Sequence, residues 1–282
     1  MPIIYHETTK TFHLQNAHLS YVMQVLKNGQ LGQLYFGKRV HDRVDFSYLV
    51  ETSARAMAVC PFEDDMSFSM DHLKQEFPVY GNGDMRHPAL DVLQPNGSRY
   101  SQFVYVGHRI EKGKPSMHPL PHVYVENEDE MTTLTIELED TVMQARLELV
   151  YSLDEQRPAI MRSARLTNEG EKPLQIDRMM SFALDLPDAN YTMLELTGAW
   201  SRERHLKERS LQHGIQAIGS LRGHSSHNFN PFIALKRPKT TEYLGEAYSF
   251  SLIYSGNFLA QVEVDTYDPS RVMMGIHPQN FS

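Results

Sequence analysis

The sequence predicts an all-β protein, a large antiparallel β-sandwich with few short helices. Three observations favour this fold class. Apolar and polar residues alternate with a period of two along most of the 282 residues, as they do in half-buried strands. Turn residues such as Gly, Asn, Asp and Pro interrupt the alternation at short intervals. A helical period occurs only over Ser69–Glu76, where Ser67 or Ser69 would cap a turn or two.

The first predicted strands form a hairpin. Ser20–Leu26 alternates and runs into Asn28-Gly29, a dipeptide that strongly favours a tight turn, and Leu31–Phe36 resumes the alternation. The later predicted strands share this period and its short connections, and they are Met131–Glu139, Ala145–Leu153, Ile160–Leu166, Leu174–Leu186, Tyr248–Tyr254, Phe258–Val264 and Arg271–Ile276. Such spacing is typical of a sandwich in which neighbouring strands run antiparallel.

Composition argues against several classes of function. The net charge of −8 and the pI near 5.9, without a Lys/Arg cluster, disfavour nucleic-acid binding through phosphate neutralisation. No apolar run approaches the roughly 18 residues of a membrane span, and the opening MPIIYHETTKTF lacks the regions of a signal sequence. The single cysteine, Cys60, excludes an intrachain disulfide. We therefore predict a cytoplasmic protein.

We predict one domain over residues 1–282, because no linker, internal repeat or low-complexity tract divides the chain. The stretches least like strands are 40–65, 77–87, 113–121 and the segment around the single tryptophan. Long loops on a rigid scaffold commonly carry function. After the last predicted strand the chain ends with the apolar Phe281 followed by Ser282. We expect the chain to be part of a longer protein.

The segment 196–232 is the most informative part of the chain. It holds Trp200, the only tryptophan, followed closely by Arg202, Glu203 and Arg204. An aromatic ring covers the apolar C–H face of a sugar, while charged groups hydrogen-bond to its hydroxyls. The pattern favours sugar recognition on an irregular segment. The alternative is an ordinary exposed loop in which the indole fills a gap in the core.

Other clusters do not specify an active site. Three adjacent carboxylates at 63–65 share one predicted loop, whereas a glycosidase holds its two carboxyls on opposite sides of a bond, so a solvated turn is favoured. His224 and His227 lack further ligands at metal-site spacing, and no metal is predicted. Gly81–Arg86 lacks the strand–loop–helix context of a phosphate site but ends in a possible Asp–Arg pair.

Several segments match a known family jointly and in the family's order: Leu34–Lys38, Gln75–Arg86, Ile160–Ser163, Gly198–Arg204, Arg222–Phe232 and Tyr254–Phe258. Through them the chain resembles the N-terminal β-sandwich domain of bacterial α-galactosidases of glycoside hydrolase family 36. The resemblance covers nearly the whole sequence. It implies a supersandwich similar to galactose mutarotase.

The resemblance also implies an enzyme of three parts, in which a (β/α)8 barrel and a small β domain would follow Ser282. The nucleophile and the acid/base aspartates of the family lie on the barrel, so no catalytic residue is carried over to this chain. The whole enzyme would hydrolyse terminal α-galactosyl groups of melibiose and raffinose with retention, through double displacement. No cofactor is implied.

Members of the family are commonly homotetramers in which the sandwich of one subunit reaches the barrel pocket of another. The resemblance implies that Trp200 takes part in that shared site. An acidic residue of the loop 42–65 also contributes in relatives; Glu51 is the first candidate here and Asp64 the second. For Arg202 and Arg204, with Glu203, we favour an interface or supporting role over direct contact with the sugar.

Two other classes of function stay open. A free-standing carbohydrate-binding module would bind galactose without a partner. A mutarotase or epimerase would need a His and a Glu converging inside one sandwich, and its candidates are His108, His122 and Glu126.

Overall fold

A computed structural model of the protein describes residues 2–278, so Phe281 and Ser282 lie outside the described residues. Contacts divide the chain between Ile176 and Asp177 into two compact units. Both units consist of antiparallel strands, and the all-β prediction is confirmed. The supersandwich arrangement and the single domain over 1–282 stay predictions. Among residues 2–278, no helix is long and apolar enough to cross a membrane.

The first unit contains two sheets of four strands, ordered β1-β2-β3-β4 and β6-β7-β8-β9. The strands of this unit are β1 Ile3–His6, β2 Thr11–Gln15, β3 Leu19–Val25, β4 Leu31–Lys38, β5 Leu90–Leu93, β6 Val104–Lys112, β7 Met131–Asp140, β8 Ala145–Asp154 and β9 Ile160–Asn168. Strands β3 and β4 form the predicted hairpin. Gly29 has a φ of 81° at its turn, where glycine is favoured because it has no Cβ.

The strands of the second unit are β10 Gln175–Leu186, β11 Thr192–Ala199, β12 Arg202–Ser210, β13 Gly214–Ser220, β14 Phe229–Lys236, β15 Ala247–Ser251, β16 Phe258–Val264 and β17 Ser270–Ile276. One of its sheets has the order β12-β11-β14-β15. In the other, β13, β16, β17 and β10 follow one another. Strand β10 begins two residues before the boundary between the units.

The helical segment predicted within Ser69–Glu76, a turn or two at most, is limited to a single turn. One turn forms, in which Leu73 N–H donates to Ser69 O at 3.2 Å. The backbone then leaves the helical path because Glu76 N–H donates to Leu31 O, at the edge of strand β4. Met70 and Leu73 are buried against Leu26 and Phe68, so tertiary packing outweighs the local helical preference.

A buried carboxylate lies at the centre of the first unit. Glu76 accepts hydrogen bonds from the hydroxyls of Tyr21 at 2.6 Å and Tyr151 at 2.7 Å. Arg162 Nη2 lies 2.5 Å from the same carboxylate. Burial raises the pKa of both tyrosines well above 10, so their hydroxyls remain donors. The cluster therefore joins strands β3, β8 and β9 to the segment that follows the single turn.

The predicted Asp–Arg pair is confirmed next to the glycine turn 81–83. Arg86 Nε lies 2.8 Å from Asp84 Oδ1, and both side chains are buried. Arg86 Nη2 also donates to the carbonyl oxygens of Met70 and Leu73, at 3.0 and 2.7 Å. These contacts give the Gly81–Arg86 segment a structural role, because its charged groups are used within the fold.

Candidate functional site

Trp200 lies at the tip of a hairpin between strands β11 and β12. Ala199 pairs with Arg202, so the connection consists of Trp200 and Ser201 alone. The Ser201 N–H donates to Glu203 Oε1 at 2.9 Å, which ties the turn to the start of β12. The tryptophan side chain is 81% exposed. Its indole is therefore presented to solvent, and the alternative in which it fills the core does not hold for this chain.

The segment after the tip is a strand and not the irregular stretch that the sequence suggested. Arg202–Ser210 forms a nine-residue strand, β12, at the edge of its sheet. Its many charged side chains are unfavourable in a core strand, but β12 lies at an edge. An edge strand has solvent along one side, where charged residues are tolerated and common.

A bulge shapes this hairpin. The pairing of β11 with β12 shifts between Thr197 and Ala199, and Arg204 has a φ of 58°. A Cβ on Gly198 would lie 2.8 Å from Glu203 Cα, closer than real Cβ atoms approach. Glycine is therefore required at position 198, because the opposing strand passes too close for any side chain.

A groove of about 370 Å³ lies beside the bulge. It is lined by Thr197, Gly198, Arg202, His205, Lys207, Asn228 and Phe229. Thr197 stands opposite both His205 and Phe229 in the sheet, so three strands contribute side chains at one level. The groove combines one aromatic ring with amide, hydroxyl and cationic groups, a combination that suits a polar ligand with an apolar face.

The charges beside the groove are unbalanced. Arg202, Arg204 and Lys207 have no ion-pair partner among residues 2–278. By contrast, Arg209 Nε lies 3.1 Å from Glu195 Oε2. The tip of the hairpin thus carries cations that are available to hydroxyl or carboxylate oxygens of another molecule.

The structure places the acidic candidates Glu51 and Asp64 in the first unit. The Glu51 carboxylate is half exposed and forms an ion pair with Arg55. Asp64 is 87% exposed and lies 3.8 Å from Lys27 Nζ. Trp200, Arg202, Glu203 and Arg204 are brought together at one hairpin of the second unit.

One hydrogen-bonded cluster resembles a catalytic triad, with Ser20 in the place of the nucleophile, His13 in that of the base and Asp42 in that of the orienting carboxylate. His13 Nδ1 lies 2.7 Å from Asp42 Oδ1, and His13 Nε2 lies 2.9 Å from Ser20 Oγ. Ser20 and His13 are fully buried, and the Ser20 hydroxyl also accepts the Val40 N–H at 3.0 Å. A substrate cannot reach this hydroxyl. His6 adds a second donor to Asp42 at 3.0 Å, so the cluster fixes the start of the loop 42–65.

The histidines of the first unit should make its stability depend on pH. Burial lowers the pKa of His13, His72 and His108 below 6.5. As pH falls below 6.5 the unfolded chain takes up protons that the folded chain does not, so the free energy of unfolding decreases. The decrease reaches at most about 1.4 kcal/mol per pH unit for each histidine, until the folded pKa is passed.

Urea denaturation at about pH 7 and about pH 5 measures this dependence. Replacing His13 with Gln removes one of the three groups and should reduce the loss of stability on acidification. Burial would raise the pKa of Asp42, but hydrogen bonds from His13 and His6 outweigh it and hold that pKa below 3.8. An equal loss of stability in wild type and His13→Gln would contradict the assignment to His13.

The histidines considered for other chemistry do not assemble a site. Among residues 2–278, no group of three His, Cys, Asp or Glu side chains is placed to hold a metal ion. His108 packs against Phe12 and accepts or donates one hydrogen bond with Tyr105 at 2.8 Å. His122 and Glu126 are exposed on the segment between β6 and β7. Within the described residues, no hydrogen bond joins any two of these three mutarotase candidates.

The chain has close relatives of known activity. Alpha-galactosidase AgaA of Geobacillus stearothermophilus is 45% identical over 282 residues, which are 100% of this chain and 38% of that protein. Alpha-galactosidase 1 of Pediococcus pentosaceus is 39% identical over 277 residues, 98% of this chain and 38% of that protein. This chain thus spans about 38% of the length of the relatives that it matches.

Solved structures agree with the sequence comparison. The α-galactosidase of Lactobacillus brevis superposes with a TM-score of 0.96 at 40% identity, over 99% of this chain and 37% of that chain. A variant of AgaA in complex with raffinose gives a TM-score of 0.93 at 45% identity, over 96% of this chain and 38% of that chain. The family model described as "Glycosyl hydrolase family 36 N-terminal domain" matches residues 29–282. The chain therefore belongs to glycosyl hydrolase family 36, and it corresponds to the N-terminal domain of that family.

Proposed function

We propose that this chain is the non-catalytic N-terminal domain of an α-galactosidase. The complete protein would hydrolyse terminal α-galactosyl groups of melibiose- and raffinose-type sugars with retention, on a barrel that follows Ser282. One observation carries the proposal: the chain aligns over its full length with 38% of AgaA and matches an N-terminal domain family. The complex of an AgaA variant with raffinose supports the substrate class.

The hairpin tip supports a role in shaping the substrate pocket. A barrel mouth is open to water, and an exposed indole from a neighbouring subunit would narrow it. The Trp200 ring offers a flat apolar surface for the C–H face of a sugar and excludes solvent there. Glu203 holds the tip through Ser201, while Arg202 and Arg204 are available to the neighbouring subunit.

The remaining parts of the proposal rest on the resemblance. They are assembly into a homotetramer, a cytoplasmic location, and a mutarotase-like supersandwich. The contribution of an acidic residue from the loop 42–65 belongs here too. Glu51 would share its carboxylate between Arg55 and the sugar, whereas Asp64 is more exposed and has only the distant Lys27 amine beside it.

The isolated chain tests the absence of catalysis. Recombinant 1–282 should show no turnover of nitrophenyl α-galactoside, because the catalytic carboxylates of the proposed enzyme lie elsewhere. A longer protein that contains the barrel serves as the positive control. Turnover by 1–282 that survives further purification would contradict the proposal.

Replacing Trp200 with alanine in the full-length enzyme should raise KM for raffinose by about threefold to tenfold, because one stacking surface is lost. The melting temperature should hardly change, since the side chain is exposed. Tyr243→Ala is the matched control, because Tyr243 is 93% exposed on the loop between β14 and β15. Equal kinetics for wild type and Trp200→Ala would remove Trp200 from the site.

The exposed indole beside a groove also favours a second candidate, a free-standing carbohydrate-binding module. Such a module would bind galactose by itself, whereas a wall completed by a neighbouring barrel would not. Titration calorimetry of 1–282 with galactose separates the two. A saturable heat that disappears in Trp200→Ala would support the module.

A further inference from the structure

Asparagine is a chemically labile residue, and it is most labile when glycine follows it. The backbone nitrogen of the glycine attacks the side-chain carbonyl carbon, and glycine favours this step because it has no Cβ to obstruct the approach. The chain contains three such dipeptides, which are Asn28-Gly29, Asn82-Gly83 and Asn96-Gly97. By sequence the three sites are equivalent. Their environments in the fold differ, and the difference selects one of them.

The reaction needs water and no other reagent. A bond forms between the glycine nitrogen and the asparagine Cγ, the bond from Cγ to Nδ2 breaks, and ammonia leaves with the proton of the glycine N–H. The resulting five-membered imide then takes up one water molecule, and one of its two bonds from the ring nitrogen to a carbonyl carbon opens. One product is aspartate. The other is isoaspartate, in which the main chain runs through the former side chain.

Asn96-Gly97 is open to solvent in the turn between β5 and β6. Both residues are exposed, and a Cβ on Gly97 would meet no atom of the described residues within 4 Å. Ser98 N–H donates to Asn96 Oδ1 at 2.9 Å, and this donor stabilises the negative charge that the oxygen gains when Cγ is attacked. Within residues 2–278, no hydrogen bond holds Asn96 Nδ2, the atom that must leave.

Asn28-Gly29 has the same turn, but tertiary contacts hold it. In both turns the glycine N–H donates at 2.9 Å to the carbonyl three residues before it, and the residue after the glycine donates to the asparagine Oδ1. Asn28 Nδ2, however, donates to Gln30 Oε1 at 2.7 Å. Gly29 O accepts the Tyr105 N–H at 2.9 Å, and a Cβ on Gly29 would lie 3.2 Å from Val104 Cβ. This turn cannot open without breaking contacts with β6.

Asn82-Gly83 is held at both polar atoms of the asparagine side chain. Asn82 Nδ2 donates to Ser101 O at 2.7 Å, and Oδ1 accepts the Tyr100 hydroxyl at 2.8 Å. A Cβ on Gly83 would lie 3.1 Å from Val59 Cβ, so the glycine is covered. Asn82 must lose both hydrogen bonds before its Cγ can turn toward the glycine nitrogen. Only the small fraction of molecules in which the turn has opened can then react.

We infer that Asn96 is a site of spontaneous deamidation in the folded protein, whereas the fold protects Asn28 and Asn82. The inference does not depend on the proposed enzymatic function, because it rests on the contacts of three turns. Modification adds a carboxylate at residue 96 and makes the formal net charge of −8 one unit more negative. Isoaspartate also lengthens the main chain by one methylene, which should break the 2.9 Å hydrogen bond from Gln94 N–H to Ser98 O.

Peptide mapping of the 282-residue chain tests the inference. Trypsin cuts after Lys and Arg, so the three dipeptides fall on separate peptides, 28–38, 75–86 and 87–99. The folded protein is incubated at mildly alkaline pH, where a larger fraction of the glycine amide is ionised and the attack is faster. Mass spectrometry then follows the conversion of amide to acid in each peptide. Peptide 87–99 should convert about tenfold faster, or more, than either of the others.

The same chain unfolded in guanidinium chloride is the control for the effect of structure. Unfolding removes the different environments of the dipeptides, so the three rates should agree within about threefold. Equal rates for the three peptides in the folded protein would overturn the inference. Faster conversion of 28–38 or 75–86 than of 87–99 in the folded protein would also overturn it, as would a peptide 87–99 that converts only after unfolding.

Asn96→Gln isolates the modified residue. Its longer side chain would have to close a six-membered ring, which forms more slowly, so the acidic species that accumulates in the wild type on isoelectric focusing should disappear. Asn127→Gln is the matched control, because Asn127 is exposed but is followed by Glu128 and not by glycine. It should leave the acidic species unchanged. Circular dichroism confirms that both variants are folded. Persistence of the acidic species in Asn96→Gln would contradict the assignment.

Discussion

Replacing Arg162 with methionine should lower the free energy of unfolding of the first unit by about 3–5 kcal/mol. The Arg162 side chain is 12% exposed, and the Glu76 carboxylate beside it is fully buried. Without the guanidinium, the buried Glu76 carboxylate loses its cationic partner, while the hydroxyls of Tyr21 and Tyr151 still donate to it. Chemical denaturation of wild type and variant, monitored by tyrosine fluorescence, measures the loss.

Arg109→Met is the matched control for this substitution. Arg109 lies on strand β6, where it is 45% exposed and faces the carboxylates of Glu111, Glu137 and Glu148. Solvent screens these three carboxylates, so the removal of Arg109 should cost under about 1 kcal/mol. Similar losses for the two variants would show that burial of Glu76 does not set the cost.

Replacing Asp185 with alanine should destabilise the second unit by a similar amount, about 3–5 kcal/mol. Asp185 and Arg271 pair directly across strands β10 and β17, and both side chains are fully buried. Two hydrogen bonds join them, from Arg271 Nε at 2.8 Å and from Nη2 at 2.9 Å. The alanine variant leaves the guanidinium buried without this bidentate partner. Urea denaturation, followed by the single tryptophan, reports the second unit.

A double variant distinguishes two contributions to stability. One is the destabilisation caused by a buried charge that has lost its partner, and the other is the stabilisation by the ion pair itself. Asp185→Leu with Arg271→Met replaces both ions by apolar side chains of similar size. Its stability should exceed that of Asp185→Ala, because it contains no buried charge that has lost its ion-pair partner. A double variant that is less stable than Asp185→Ala would contradict this explanation and would assign the loss to packing instead.

The strand pattern was predictable where local signals agree with each other. The alternation of Met131–Glu139 and Ala145–Leu153 predicts β7 and β8 within one residue at all four of their ends. Asn28-Gly29 predicts the β3–β4 hairpin, because the chain reverses locally, within the few residues between Val25 and Leu31. Strand β12 was missed because a strand lies at an edge only when no other strand pairs with its outer side. That depends on the arrangement of the whole sheet and not on the local sequence.

The candidate site was predictable in part. Trp200 and its charged neighbours stand out in composition, and the structure places them together at one tip. The groove residues His205, Lys207 and Asn228 were not singled out, although His205 and Lys207 alternate along one strand. The available signal was the spacing of two residues between His205 and Lys207, which places both on one face of a strand. Asn228 directly precedes β14, and it reaches the groove because β14 pairs with β11. No local sequence pattern encodes that pairing.

The cluster around Glu76 has a consequence for how the first unit reaches its native state. Its hydrogen bonds join residues far apart in the chain: Arg162 donates to the Tyr21 hydroxyl at 3.2 Å across 141 positions. A contact between residues so far apart closes a long loop. The chain loses conformational entropy on closing this loop before the contact stabilises it. Sheets that depend on such distant pairings assemble late and slowly. We therefore expect this unit to fold in one concerted step, once Arg162 on β9 has contacted Tyr21 on β3. Hairpins that are stable by themselves are not expected on the way.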